Sequence, residues 1–356
     1  MILSRHAMLR GVKRLTLADV AREAGVSVKT ASRVVNQERW VSAETRLRVD
    51  QAIERLGFRP SLNARALAGR RSFFVAFVFD VITPLELGVA LSGAIQRCRL
   101  ADYRVLVDQV TASSPDVGRR IEDLVVSARV DGVILAPAVC DSEQVLEVLE
   151  RLSVPYVRMA PSHDRSRGPY VAINDFRAAF DMTSHLIDLG HREIAFVRGD
   201  MTQGASRERY EGFIASMRHR GYPVAPEDVC EGDFTFSSGV AAFERLSRRG
   251  ALPTAIFASN DMMALGICTT AQSRGIRIPS ELSVAGFDDI SQAATAQPPL
   301  TTVRYPLPEI TTTAADFLIE LASGSVSGGQ PKCKIWDCEI VIRGSTVSPP
   351  DTSLSP

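Results

Sequence analysis

The stretch TLADVAREAGVSVKTASRVVN, from Thr16 to Asn36, decides how the amino-terminal part of the chain folds. Its apolar residues recur at helical spacing over two short segments, 16–24 and 27–35, which a glycine separates. The first segment opens with a capping-box pattern that ends at Asp19. Because glycine permits a sharp backbone bend, the stretch predicts a helix-turn-helix.

A third helical segment follows this motif and completes a small domain. It starts at Ser42 and places Val49, Ile53 and Leu56 at intervals of four and three residues. The sequence therefore predicts a three-helix headpiece at residues 1–60, followed by a linker of mostly polar and small residues.

Charge is divided unequally between this amino-terminal part and the rest of the chain. Residues 1–71 carry 15 Lys and Arg against 6 Asp and Glu, whereas the remaining residues carry 26 basic and 35 acidic side chains. A basic module on an acidic body predicts a polyanion partner for that module alone. A solvated charged face would have the same composition, so composition leaves both interpretations open.

From residue 73 onward, β-like apolar runs alternate with helical patterns. The runs are FFVAFVF, RVLVDQV, GVILA, PYVRMA, YVAIN, EIAFV, TAIFA and LSVAGF, and the helical patterns fall near 86–102, 115–129, 141–152, 175–189, 206–220 and 261–274. Runs without polar alternation are typical of parallel strands covered on both faces. The predicted fold class is therefore α/β, with the helix-turn-helix headpiece preceding two Rossmann-like parallel-sheet subdomains.

Polar residues follow the predicted strands at their carboxyl ends. They are Asp80, Thr83, Asn174, Asp175, Arg198, Asn260, Asp261, Asp288 and Asp289. Ligands of open α/β sheets bind beyond these ends. Two subdomains facing each other across them would enclose a polar cleft suited to a small hydroxylated molecule.

The second helix of the helix-turn-helix carries the candidates for reading DNA bases. Val28, Lys29 and Arg33 lie near its beginning and one turn later, a spacing that reaches base edges in a major groove. The candidates for phosphate contacts are Thr16, Leu17, Ser27, Thr30, Ser32 and Asn36. A purely structural helical hairpin is the alternative interpretation.

Motifs along nearly the whole chain carry a resemblance to a known family. The headpiece run continues with Val41-Ser42-x-x-Thr45-Arg46 and Leu56-Gly57-Phe58-x-Pro60, and later landmarks are HLIDLGHREIAFV, SNDMMALG, SVAGFDD, PLTTV and RGST. In order and spacing these resemble the lactose/galactose repressor (LacI/GalR) family. The resemblance implies a periplasmic-binding-protein-like effector domain and a homodimer on a pseudopalindromic, double-stranded operator DNA. It favours a ligand-responsive repressor of transcription.

The resemblance also implies a hinge helix after the headpiece. NARALAG, at residues 63–69, resembles that segment, with Leu67 at the position of the leucine that enters the minor groove and Ala64 one turn earlier. An apolar side chain there would open a flexible pyrimidine–purine step and kink the duplex. An anchor that packs the linker on the body is the alternative role for Leu67.

Six residues are candidates for binding the effector, which the resemblance implies is a sugar or sugar derivative. They are Asp80, Arg158, Arg209, Phe234, Asn260 and Asp288. Arg158 stands near a position where sugar-binding relatives often have a carboxylate, and there it would favour an acidic sugar. The alternatives are a surface ion pair for Arg209, a helix N-cap for Asn260, a turn for Asp288 and a core position for Phe234.

The resemblance divides the chain into five parts. These are the headpiece at 1–60, the hinge helix and linker at 61–72, a first effector subdomain at 73–172 and 304–334, a second at 173–303 and 335–347, and a tail at 348–356.

Two other classes of protein compete with a regulator. An enzyme would need a catalytic motif, but the chain has no GxGxxG after a strand, no Walker loop, no GxSxG and no clustered His. A two-lobed solute-binding protein without a DNA role would need a signal peptide in place of the basic headpiece. The six cysteines lack CxxC spacing, so we expect neither disulfide nor zinc, and no cofactor. With no apolar run long enough for a membrane span, we expect a cytoplasmic protein.

Overall fold

The computed structural model describes residues 15–35, 40–58, 71–80, 84–324 and 331–349. The chain divides into two compact units, Met1–Phe73 and Phe74–Pro356. We call the first unit the headpiece and the second the effector unit. Four residues of the sequence predictions lie outside the described residues: Asn36, Ala64, Leu67 and Thr83.

The headpiece contains the three predicted helices, α1 (Leu17–Glu23), α2 (Val28–Val35) and α3 (Ala43–Leu56). The capping box that begins α1 is confirmed, because the Asp19 carboxylate accepts the Thr16 backbone N–H at 2.9 Å. The helices enclose one small apolar core, whose buried members are Val20, Ala21, Ala24, Ala31, Val34, Val49, Ala52 and Phe58.

The effector unit alternates strands and helices. In chain order its elements are β1 (Phe74–Phe79), α4 (Pro84–Leu100), β2 (Arg104–Gln109), α5 (Val117–Ala128), β3 (Val133–Leu135), α6 (Glu143–Arg151), β4 (Tyr156–Met159), β5 (Tyr170–Ile173), α7 (Asp175–Asp188), β6 (Ile194–Val197), α8 (Gly204–His219), β7 (Val229–Cys230), α9 (Phe236–Ser247), β8 (Ala255–Ala258), α10 (Asp261–Ser273), β9 (Ser283–Ala285), α11 (Ser291–Thr295), β10 (Thr302–Arg304), α12 (Leu307–Ser323), β11 (Cys333–Trp336) and β12 (Glu339–Val341).

Two parallel sheets organise this unit, as the sequence predicts. Among the described residues, the first sheet has the strand order β11-β5-β4-β3-β1-β2 and the second has the order β7-β6-β8-β9. We call the first sheet with α4, α5, α6 and α12 the first lobe, and the second sheet with α7 to α11 the second lobe. Strands β10 and β12 pair antiparallel as a separate ribbon.

Three helices of the effector unit are not predicted from the sequence: the five-residue α11 and two longer helices, α12 and α9. The α12 segment contains the run Thr311–Thr313, and β-branched residues lower helix propensity. The α9 segment begins Phe-Ser-Ser-Gly, which is equally weak helix-forming sequence. Each of these two longer helices forms in the folded chain because an apolar face packs: α12 on α4 and the first sheet, and α9 on α10.

The chain passes from the first sheet to the second, returns to the first for β11, and then crosses to the second lobe again. The predicted boundary between residues 334 and 335 falls inside β11, which pairs with β5 from Cys333 to Trp336. The last crossing therefore follows Trp336, because the ladder hydrogen bonds of β11 keep its whole length in the first sheet.

Candidate functional site

Helix α2 of the headpiece turns its predicted DNA-reading residues away from the core. Val28 is 50% exposed, and Lys29 and Arg33 are also exposed, whereas Ala31 and Val34 are buried. This distribution leaves the face that carries the three candidates accessible to a partner. The base-reading role of these residues stays a prediction.

Four of the predicted phosphate contacts lie at the beginnings of α1 and α2: Thr16, Leu17, Ser27 and Thr30. Thr16 caps α1, and the Ser27 hydroxyl accepts the Thr30 backbone N–H at 3.1 Å at the beginning of α2. Ser32 is half-buried, and Leu17 packs partly against the headpiece core. Capped helix N-termini suit phosphate, because the positive end of the helix dipole lies there.

A buried arginine on α8 is the centre of the polar cluster in the effector unit. The Nε atom of Arg209 donates to Asp175 Oδ1 at 2.7 Å, and Nη1 donates to the Ser259 carbonyl at 2.6 Å. Asp288 Oδ1 lies 3.6 Å from Nη1. The guanidinium carbon stands 3.5 Å from the centroid of the Phe287 ring. Arg209 is therefore not a surface ion pair but a buried junction of two carboxylates, a carbonyl and a ring.

Burial and charge shift the pKa values in this cluster in a consistent way. Burial raises the pKa of Asp288 well above its usual range, and the Arg209 guanidinium only partly opposes this shift. Burial would lower the pKa of Arg209, but Asp175 and Asp288 outweigh it and raise the pKa. Arg209 thus stays charged. Its pKa shift also means that the arrangement stabilises the cation.

Asn260 and Phe234 lie close together, beyond the carboxyl ends of strands β8 and β7 of the second sheet. Asn260 is the N-cap of α10, where its Oδ1 accepts the Met263 N–H at 2.9 Å, and its Nδ2 donates to the Phe234 carbonyl at 2.9 Å. The N-cap interpretation therefore describes Asn260. The Phe234 ring packs against Gly199, where an added Cβ would lie 2.1 Å from a ring carbon. Phe234 packs partly on the core of the second lobe.

The first lobe carries two acidic residues that bear on the candidate site, Asp80 and Glu86. Asp80 follows β1, and its Oδ2 accepts the Ala112 backbone N–H at 2.9 Å. Glu86, on α4, acts on Asp288 of the second lobe and raises its pKa.

The structure corrects the prediction for Arg158. Its side chain is fully buried, and its guanidinium donates to the carbonyls of Cys140, His163 and Asp164 and to Asp141 Oδ1. The four hydrogen bonds are 2.6–2.9 Å long. Two of them bind Arg158 to the loop after its own strand, and the other two bind it to the segment after β3. Arg158 therefore holds that loop, and its position gives no basis for an acidic effector.

Sequence reasoning missed several residues of the cluster. They are Ser259, Phe287, Tyr305 and Cys338, while Asp175 was noted only as a strand-end residue. Burial raises the pKa of Cys338 to about 12, with Asp175 and Asp288 adding to the shift and Arg209 opposing it. Phe287 lies inside the SVAGFDD motif and could have been found there. Tyr305 and Cys338 lie on the segments that cross between lobes, where no local pattern marks them.

Two buried polar atoms near this cluster have no hydrogen-bond partner within the described part of the chain. They are Arg198 Nε and Ser259 Oγ. Arg198 and Ser259 directly follow β6 and β8, which pair in the second sheet. The Arg198 guanidinium also pairs with Glu231 and lies over the Tyr210 ring. Buried polar groups normally find partners, so these atoms are suited to a bound ligand.

Two features, a metal-binding cluster and a membrane-spanning helix, are absent from the described residues. No group of three or more His, Cys, Asp or Glu side chains there is arranged to hold a metal ion. The same ranges contain no helix whose length and hydropathy would allow it to cross a membrane.

Two regions of the chain match described families. Residues 16–61 match the bacterial regulatory proteins of the lacI family, and residues 183–346 match the periplasmic binding protein-like domain. The first match covers the described helices of the headpiece. The second covers most of the second lobe and the crossing segments.

Known proteins are similar to this chain over almost its whole length. Catabolite control protein A of Priestia megaterium is 34% identical over 305 residues, which cover 85% of this chain and 91% of that protein. The lac repressor dimer bound to operator and the anti-inducer ONPF has a TM-score of 0.76 at 29% identity, covering 94% of this chain and 100% of that one. The complex of the transcriptional regulator CelR with cellobiose has a TM-score of 0.71 at 28% identity, covering 93% and 100%. The predicted family is thereby confirmed: the chain belongs to the LacI family of bacterial regulatory proteins.

Proposed function

We propose that this protein represses transcription by binding operator DNA as a homodimer, and that a small saccharide between its lobes changes the affinity for the operator. The observation that carries the proposal is the exposed face of α2 in a headpiece that matches the lacI family. A solute-binding protein without a DNA role would not need such an exposed helix face. Because its proposed partner is DNA, we place the protein in the cytoplasm. We also propose that it is a binding protein and not an enzyme.

On the DNA side, Val28, Lys29 and Arg33 contact base edges in the major groove. Arginine and lysine donate to guanine, and valine contacts a thymine methyl group. Leu67, with Ala64 beside it, enters the minor groove at the operator centre. The phosphate contacts are Thr16, Leu17, Ser27, Thr30, Ser32 and Asn36, whose polar groups fix the orientation of the headpiece.

On the effector side, the ligand lies between the lobes at the Arg209 cluster, with Phe234 as an apolar wall. Ser259 Oγ and Arg198 Nε supply polar partners for ligand hydroxyls. Asp80 and Glu86 are the acidic groups on the side of the first lobe, and they disfavour a carboxylate on the ligand. We therefore propose an uncharged saccharide. The CelR complex with cellobiose supports this class of ligand.

The ligand would act on DNA binding through the angle between the lobes. A ligand that contacts both lobes fixes that angle, and in a dimer the angle sets the spacing of the two hinge segments. If that spacing does not fit the operator, DNA affinity falls by the difference in ligand affinity between the two states, typically about 1–3 kcal/mol. Operator DNA must then weaken ligand binding by the same factor.

The DNA-binding part of the proposal is tested by selection from a random duplex library with the full-length protein. We expect enrichment of one pseudopalindromic sequence whose affinity decreases steeply with salt. Absence of any enriched sequence would favour the solute-binding alternative.

The effector part is tested by thermal unfolding with cellobiose and with glucuronic acid. A ligand of the cleft at about 100 times its Kd adds about 2.7 kcal/mol to the stability. We expect an increase with an uncharged sugar, and stabilisation by glucuronic acid alone would contradict the proposed ligand class.

A further inference from the structure

One loop of the first lobe caps a helix of the second. Residues 160–168, which we call the latch loop, follow β4. The Ser162 hydroxyl accepts the backbone N–H of Gly204, the first residue of α8, at 2.8 Å. The N-cap residue of this helix, Gln203, makes no side-chain capping bond. Since the first N–H groups of a helix have no partner inside it, Ser162 supplies a cap from the other lobe.

The approach of the latch loop to α8 leaves no space for a larger residue. A Cβ atom added at Gly204 would lie 2.8 Å from Ser162 Cα and 2.9 Å from Ser162 Cβ. One of these contacts is with the backbone, so a rotamer change cannot relieve it. Glycine at the beginning of α8 is therefore what allows the two lobes to touch here.

An ion pair joins the same two elements one turn further along α8. Arg165 Nη2 lies 2.5 Å from Glu208 Oε1, with the side chains 37% and 28% exposed. Burial raises the pKa of Glu208, and Arg165 opposes that shift. Glu208 is the neighbour of Arg209 in sequence, so the latch loop holds the part of α8 that presents Arg209 to the cleft.

The latch loop is itself held by buried charge. Arg158 binds the carbonyls of His163 and Asp164, and Asp141 accepts from Arg158 on one oxygen and from the Ser162 N–H, at 2.9 Å, on the other. Asp164 adopts a φ of 44°. A loop held by several hydrogen bonds to the rest of its lobe keeps one shape and acts as a single rigid contact.

We propose that the latch loop holds the two lobes together and thereby positions Arg209 for the ligand. Opening of the cleft must break the Ser162–Gly204 hydrogen bond and the Arg165–Glu208 ion pair together. The role in ligand binding rests on the proposed function, whereas the closing role belongs to the protein without ligand. A weaker latch would shift the population towards the open state and lower the apparent ligand affinity by the closed fraction.

Hydrogen exchange of the full-length protein, without effector or operator, tests this inference. Glu208→Gln removes the charge from the second lobe, and Arg165→Gln removes it from the first. In each variant we expect the amides of the latch loop and of the first turn of α8 to exchange faster by the same factor, up to roughly fivefold. Glu211→Gln, on the same helix, is the control and should exchange at the wild-type rates.

The pattern across the two lobes decides the result. If only the segment on the mutated side exchanges faster, or if neither changes, the latch proposal is overturned. Far-UV circular dichroism confirms that the variants fold, and both substitutions are at partly exposed positions. The saccharide screen and the DNA selection can fail without changing these exchange rates, so the two proposals fail separately.

Discussion

Arg209 and Asp175 form an ion pair of 2.7 Å in which each side chain is only 6% exposed. The pair joins α8 to α7, and the Ser259 carbonyl on the same guanidinium adds the end of β8. Three elements of the second lobe thus meet at one cation. The residue that the family resemblance assigns to effector binding is therefore also part of the framework of its lobe.

Removing one partner of this pair is expected to destabilise the protein strongly. Arg209→Ala leaves the Asp175 carboxylate buried without its partner, which costs about 3–5 kcal/mol of unfolding free energy. Urea unfolding of the variant measures the loss. The double variant with Asp175→Ala should recover part of it, and an additive further loss would show that the two residues act independently.

Asp288→Asn is the cleaner test of the cleft. The substitution keeps the shape of the side chain and removes the carboxyl group that lies 3.6 Å from Arg209. We expect the thermal stabilisation by an effective saccharide to decrease by at least about 1.4 kcal/mol, a tenfold loss of affinity. Binding to a selected operator duplex should remain at the wild-type level. Loss of operator binding would show that Asp288 has a role in folding.

Asp261 predicts a pH dependence of stability. Burial raises its pKa to about 7 from the usual 3.8, although hydrogen bonds from Thr302 and Ile290 oppose the shift. Between these pH values the folded protein keeps a proton that the unfolded chain has released. The contribution of Asp261 to the unfolding free energy therefore falls as the pH rises from about 4 to 7, by at most about 1.4 kcal/mol per pH unit.

The variant Asp261→Asn cannot titrate and should have a flatter pH profile over this range. Urea unfolding at several pH values from 4.5 to 8 compares the slopes of the two proteins. Because only the slopes are compared, a difference in absolute stability between the two proteins does not affect the result. Equal slopes would mean that Asp261 is ionised in the folded protein.

Arg33→Ala tests base reading by α2. Loss of a bidentate contact to one base is expected to cost about 1–3 kcal/mol of binding free energy and to relax the preference at one position of the operator. Fluorescence anisotropy with a set of operator variants measures both effects. Arg55→Ala, in the last turn of α3, is the control. An equal loss on every sequence would assign Arg33 to the phosphate backbone.

Gly212 lies where α7 and α8 touch. A Cβ atom added there would lie 2.2 Å from the Phe176 carbonyl oxygen. Gly212→Ala should therefore lower the unfolding free energy by about 1–3 kcal/mol, because the helices must move apart. Gly88→Ala is the matched control, since no atom lies within 4 Å of the added Cβ, and it should be neutral or stabilising. Thermal unfolding distinguishes the two outcomes.

Local patterns were sufficient for the fold class and for the headpiece. The capping box from Thr16 to Asp19 spans four residues, and parallel strands covered on both faces leave uninterrupted apolar runs. These signals lie within one turn or one strand, so a single sequence contains them whole.

The partners of the buried charges around Arg209 could not be predicted from local patterns of this kind. Asp175 and Arg209 are 34 residues apart in the chain, and only the packing of α7 on α8 joins them. The family resemblance assigns Arg158 to the ligand, but its guanidinium binds the loop that follows its strand and the segment after β3. Which group a buried charge meets is decided by tertiary structure, and the sequence shows only that a charge is present.

The repeated passage of the chain between the two sheets determines when each lobe can be finished during synthesis. The first sheet lacks its edge strand β11, and its helix α4 lacks its neighbour α12, until the last part of the chain has left the ribosome. The three described helices of the headpiece, by contrast, end before residue 58. A ribosome that stops before α12 therefore releases a chain with the three described headpiece helices but an incomplete first lobe, whose exposed apolar strands are a substrate for chaperones and proteases.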